Sequence, residues 1–238
     1  LQQFGKVKRC VLPFTNVGME YSRTEKGGIK LTQVVYVDAL KTLPLPESVE
    51  KPLDPKGVAT LRGGIGAVLF ACLTRWDLLF DLVLLQTQVK NSTGQALKDC
   101  NAIINRAKRH RQQGLVFEPL PGTTRRLAAV ADSSHASKKS SYAFEGSLVL
   151  LQSENHASSQ RTAQYQETVD SRSVPGICGR VHPLHVKSQK AKRLSQSTSH
   201  AETLSQLSVT AVAECAAMRY TEIHLSWSSK GTDIRETS

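Results

Sequence analysis

The chain opens with alternating and turn-punctuated segments. From Val7 to Lys30 the pattern predicts extended segments joined by a turn: Phe14 to Tyr21 runs into the charged Ser22-Arg23-Thr24-Glu25-Lys26, and Gly27-Gly28 precedes Ile29-Lys30-Leu31. A short helix is expected over Val34 to Leu40, then a proline-bearing linker or irregular stretch from Leu43 to Lys56. Ala59 to Val89 reads as helix. Within it Gly63-Gly64-Ile65-Gly66-Ala67 permits close backbone packing, and Asn91 to Gly94 forms a break. A second helix is expected from Gly94 to Gln112. Leu97, Ile103, Ile104 and Ala107 share one of its faces, while Arg106, Lys108, Arg109 and Arg111 lie on the other side and at its end.

Past Pro119-Leu120-Pro121-Gly122 the texture changes to strand. Leu127 to Ala131 ends at Asp132, and Tyr142 to Gln152 alternates well enough for a second strand. Polar Ser153 to Arg180 reads as a long loop. A third strand near Leu184 to Ser188 precedes a helix from Thr198 to Tyr220, striped by Leu204, Leu207, Val212, Cys215 and Met218. The tail, Leu225 to Ser238, has no periodic pattern and is expected to be loosely ordered.

Composition narrows the classes. Five cysteines, Cys10, Cys72, Cys100, Cys178 and Cys215, form neither an even framework nor a close pair, which argues against a zinc site and for a reducing, intracellular compartment, cytoplasmic or nuclear. The apolar stretch from Ile65 to Leu85 is interrupted by Arg75, Asp77 and Asp81, so it reads as buried helix rather than a membrane span. The N-terminus has neither an initiator Met nor a signal pattern, and the chain reads as a fragment. A net charge of +11 favours polyanionic partners, nucleic acid foremost, against the competing reading of a solvated basic face. An aromatic content of 5% disfavours sequence-specific readout of single strands.

Two carboxylates are candidates for chemistry. Asp132 ends a strand inside Val130-Ala131-Asp132-Ser133-Ser134-His135-Ala136, where it could hold a divalent ion or simply make an Asx turn. Glu202 lies at the helix start in Ser197-Thr198-Ser199-His200-Ala201-Glu202, where it could instead complete a capping box. Brought together across strand and helix, the pair would bridge Mg2+ ions for phosphodiester hydrolysis. The basic run containing Lys187, Lys190, Lys192 and Arg193 is positioned to touch a phosphate backbone. His182 and His185 would point to opposite faces of a strand, and no cysteine joins them. The glycines at 63–66 lack the Lys-Ser/Thr of a phosphate loop, and there is no Gly-x-Ser-x-Gly elbow, which excludes the familiar serine-hydrolase pattern.

Several of these segments, in order, resemble the reverse transcriptase and ribonuclease H region of copia-type LTR retrotransposon polyproteins. Phe14 to Tyr21, then Gly28-Ile29-Lys30-Leu31-Thr32-Gln33 and Tyr36, resembles the stretch after the polymerase active site. Gly63 to Phe80, with Thr74-Arg75-Trp76-Asp77, resembles a Thr-Arg-Pro-Asp signature, with Trp76 where proline is usual; Ala107-Lys108-Arg109 before Gly114-Leu115 also corresponds. Asp132-Ser133-Ser134 resembles the Ser-Asp-Ala motif. Lys187-Ser188-Gln189-Lys190 with Ser197-Thr198 and Ala201-Glu202 resembles the motif of the second ribonuclease H carboxylate.

The resemblance implies an α+β fold: the end of a polymerase palm with linker at 1–58, thumb or connection helices at 59–121, and at 122–238 an incomplete ribonuclease H-like mixed sheet with helices. It also implies Mg2+ on Asp132 and Glu202, RNA–DNA hybrid or duplex as partner, and the rest of the polyprotein as context. The polymerase Tyr-x-Asp-Asp motif is absent, and the third aspartate has no counterpart, since Asp233 lies in the polar tail. The expected function is therefore hybrid or duplex binding with nuclease activity weak or lost. The alternative is a basic, non-catalytic module for nucleic acid or protein.

Overall fold

The computed structural model describes residues 10–122, 124–134, 143–153, 180–191 and 197–233, with side chains through 223 in the last segment. It is an α+β chain with two antiparallel sheets, divided into two compact units, Leu1–Pro119 and Leu120–Ser238.

Unit one begins with strands β1 (Phe14–Asn16), β2 (Met19–Arg23) and β3 (Ile29–Thr32). Val17 and Gly18 close the first hairpin, both with positive φ, as the twist of a two-residue hairpin turn requires. In the second, the Thr24 hydroxyl accepts from Gly28 N at 2.9 Å and Gly27 takes the left-handed conformation. Helices α1 (Val34–Ala39), α2 (Pro55–Ala71), α3 (Leu79–Gln88) and α4 (Gly94–Arg109) follow, and β4 (Leu115–Phe117) returns to complete the sheet in the order β1-β2-β3-β4.

Helix α2 starts where Asp54 accepts from Gly57 N at 2.6 Å, with Pro55 in the first turn, where its missing N–H costs nothing. Leu61, Ile65 and Val68 of α2, Leu82 and Leu85 of α3, and Leu97, Cys100, Ile104 and Ala107 of α4 form one core with Val37 and Leu40. A Cβ at Gly64 would lie 2.6 Å from Leu43 and 3.1 Å from the Cys100 sulfur, so the small residue permits close approach there. The stretch expected as a linker packs Leu43 and Leu53 on the same core, and Asn101 brackets Leu43 with bonds of 2.7 and 2.9 Å to its N–H and C=O. The division between units accordingly falls after Pro119, and residues 1–58 and 59–119 share one unit. The single helix expected over 59–89 is broken after Ala71, where Thr74 and Arg75 turn inward, and a short 3-10 turn at Trp76–Leu78 leads into α3.

Unit two contains strands β5 (Arg125–Ser134), β6 (Phe144–Ser153) and β7 (Val181–Lys190), antiparallel in that order, and helix α5 (Thr198–Asp233) packed on β5 and β6. Among the described residues this sheet is antiparallel throughout rather than mixed. The tail expected to be loose continues α5 to Asp233. The expected long loop falls at 154–179, outside the described residues. No helix among the described residues is long and apolar enough to cross a membrane.

Candidate nucleic-acid interface

Two of the motif segments meet in unit one. Gln33, buried after β3, donates to Phe70 O at 3.2 Å and accepts from the Thr74 hydroxyl at 2.9 Å. The adjacent Arg75 guanidinium, also buried, forks onto Asp77 with two bonds of 2.8 Å and donates to Ala107 O at 3.1 Å and His110 O at 2.9 Å. It thereby satisfies carbonyls at the C-terminus of α4 and offsets the negative end of that helix. The same guanidinium holds the Asp77 carboxyl below the usual carboxylate range, chiefly through the hydrogen bond.

This anchoring presents the basic end of α4. Of its four expected phosphate-binding residues, Arg106 pairs with Asp81 at 2.6 Å and also donates to Asp77 O at 3.1 Å, and Arg111 lies 3.4 Å from Asp38. Lys108 and Arg109 have no ion pair among the described residues, and Arg109 is exposed. They are free of the short ion pairs that hold Arg106 and Arg111, which leaves them available to a phosphate. Lys30, opposite Val116 across the β3–β4 register, is a further cation that sequence reasoning missed. Nothing in the linear pattern brings it near Gln112 and Trp76, with which it lines a common groove.

In unit two the strand register decides the carboxylates. Ala143 and Ala191, joined by a 2.8 Å backbone bond, pack against Ala201 of α5, and Lys187 donates to the Ser208 hydroxyl at 3.1 Å. Alternation along β6 and its partners then assigns Ser133, Ala131, Ser147 and Lys187 to the face beneath α5. Asp132 pairs with Gly146, and Gly146 with Ser188, on the opposite face, and Asp132 is exposed there. Its hydrogen bond to the helix is through the main chain, where Asp132 O accepts from the Ser205 hydroxyl at 3.3 Å.

Glu202 is exposed on α5, and the helix is capped by Ser197, whose hydroxyl accepts from His200 N at 3.1 Å; the expected capping box is not formed by Glu202. The Asp132 side chain thus lies on the sheet face away from α5, while Glu202 is exposed on the helix itself. No group of three or more His, Cys, Asp or Glu among the described residues could hold a metal ion.

Of the basic run, Lys187 is engaged by α5, Lys190 is exposed at the end of β7, and Lys192 and Arg193 lie outside the described residues. A bulge between Val149 and Leu150 corrects the expectation for the histidines. With His185 opposite Val149 and His182 opposite Leu151, both fall on the same face, because the extra residue restores the parity. Burial first, and Lys187 second, push the His185 imidazole below its ordinary value. Compared with protein-family models, curated proteins and solved structures, the chain matches none.

Proposed function

We propose that the chain is a piece of a copia-type retrotransposon polyprotein, from the end of the reverse transcriptase into a ribonuclease H-like domain. In this reading it binds RNA–DNA hybrid or duplex, with nuclease activity weak or lost. The observation that carries the binding is the basic end of α4, where Lys108 and Arg109 are held in no ion pair among the described residues, in a chain of net charge +11. The resemblance gains support from the Gln33–Thr74 contact, which joins two of its motif segments across 41 positions. The weak-or-lost activity rests on the missing third carboxylate, since Asp233 ends helix α5 instead of lying on a strand after it, and two-metal hydrolysis needs enough carboxylates to hold both ions.

The test is a labelled RNA–DNA hybrid incubated with the chain, with and without Mg2+, beside Asp132→Asn. Binding that weakens linearly in log–log plots against salt, without cleavage and unchanged in the variant, is the expected result. Metal-dependent cleavage lost in Asp132→Asn would show a working nuclease instead. Indifference to nucleic acid would leave the basic protein-interaction module.

A further inference from the structure

Two grooves of unit one meet at Lys30 and Gln112. The first, of about 490 Å³, runs past Trp76 and the turn at Gln113 and Gly114. The second, of about 590 Å³, lies beside Phe14 and Tyr21, whose rings stack 4.7 Å apart at 10°. The other charged groups that line them are held by partners. Arg75 and Asp77 hold each other, and the Glu20 carboxylate accepts from the Thr32 hydroxyl at 3.0 Å and from Val35 N at 2.8 Å. Lys30 has no ion pair among the described residues, and Gln112 and Gln113 are exposed. What the joined grooves offer a ligand is thus an indole, a cation and two amides, next along the chain from Lys108 and Arg109. A planar heterocycle carrying a phosphate matches that set, because every base presents a π-face to an aromatic ring and its phosphate seeks a cation.

Building on the nucleic-acid reading above, we propose that the Trp76–Lys30 groove takes an unpaired base of a single-stranded segment, with the base stacked on Trp76 and its phosphate on Lys30. The contact is sequence-tolerant, since stacking discriminates little among bases, and it serves a strand end or overhang that a blunt duplex does not supply.

The experiment uses the full chain carrying Trp227→Phe, in which Trp76 is the sole indole. It is titrated with an oligouridylate and, separately, with a blunt RNA–DNA hybrid, following Trp76 emission and the anisotropy of labelled nucleic acid. Saturable quenching by the oligouridylate is expected. Trp76→Ala should weaken its binding about tenfold while changing hybrid affinity less than about twofold, with Trp76→Phe retaining most of it. Lys30→Ala, which leaves the indole in place, should lower oligouridylate affinity and reduce its salt dependence. Oligouridylate binding that leaves Trp76 emission unchanged, or is indifferent to Trp76→Ala and Lys30→Ala, overturns this inference and leaves the hybrid-binding reading standing. Failure of both nucleic acids to bind overturns the two together.

Discussion

Arg75→Ala tests how unit one is held together. The side chain is 1% exposed, whereas its partner Asp77 is 47% exposed. Truncation removes the donor from Ala107 O and His110 O and strips Asp77 of its counter-ion. Water can rehydrate the half-exposed carboxylate, so that end loses little. The two carbonyls lose bonds from a charged donor, each of which contributes about 1.5–3 kcal/mol. Deleting one partner of a buried pair costs about 3–5 kcal/mol, and the screening at Asp77 sets the expected loss near the lower end, about 3 kcal/mol. With a urea slope of about 2 kcal/mol/M, the unfolding midpoint should fall by about 1.5 M.

Because the chain has two compact units, a global signal would mix two transitions, so emission from Trp76 in the Trp227→Phe background is the appropriate probe of unit one. Arg75→Lys should recover only part of the loss, as an ammonium lacks the planar fork. A midpoint shift below about 0.5 M in Arg75→Ala would refute the reasoning. The pH dependence has a definite sign. The folded carboxyl of Asp77 is depressed, so its stabilisation is present above the unfolded value of about 3.9 and is lost as pH falls through the folded value. Arg75→Ala should flatten that acid limb.

Three further outcomes are open to measurement. Val17→Asn should stabilise unit one by about 1 kcal/mol, because a β-branched residue at φ 48° is strained where Asn is accepted, and a lowered urea midpoint would contradict this. Gly114→Ala should cost about 2–3 kcal/mol, since its Cβ would run into the Leu31 carbonyl beside the β3–β4 pairing, and an unchanged midpoint would show that the pairing yields. Among the four described cysteines, Cys10 and Cys215 should react with a thiol reagent in the native chain while Cys72 and Cys100 wait for unfolding, because burial pushes their thiols up to about 12 and about 11; rapid native labelling of Cys100 would contradict the core assignment.

Local pattern was enough to place most elements. Hydrophobic spacing marked α1, α4, β5 and β6 close to their observed spans and the middle of β7, since each depends on side chains within a turn or two of one another. The charged end of α4 was equally legible, but which of its cations stay uncompensated was not. Asp38 and Asp81 neutralise Arg111 and Arg106 from other helices, and only folding brings them there.

Long-range features were decided by tertiary structure. The break after Ala71 arises because Thr74 and Arg75 find partners at Gln33 and at the end of α4, outside any helical window. Strand β4 is three residues long, too short for periodicity, and exists because β3 offers it an edge. The faces of unit two were hidden for a related reason. Sequence fixes that neighbours alternate along a strand, but which alternate set meets the helix depends on register and on the packing of Ala201 against Ala143 and Ala191. That packing turns the Asp132 side chain away from the helix, and one extra residue in β7 aligns two histidines that simple alternation would have set apart. The sequence by itself determined most of the elements and the basic charge; the tertiary structure decided the helix break, strand β4 and which side chains meet, because register and packing couple residues too far apart for local pattern to relate.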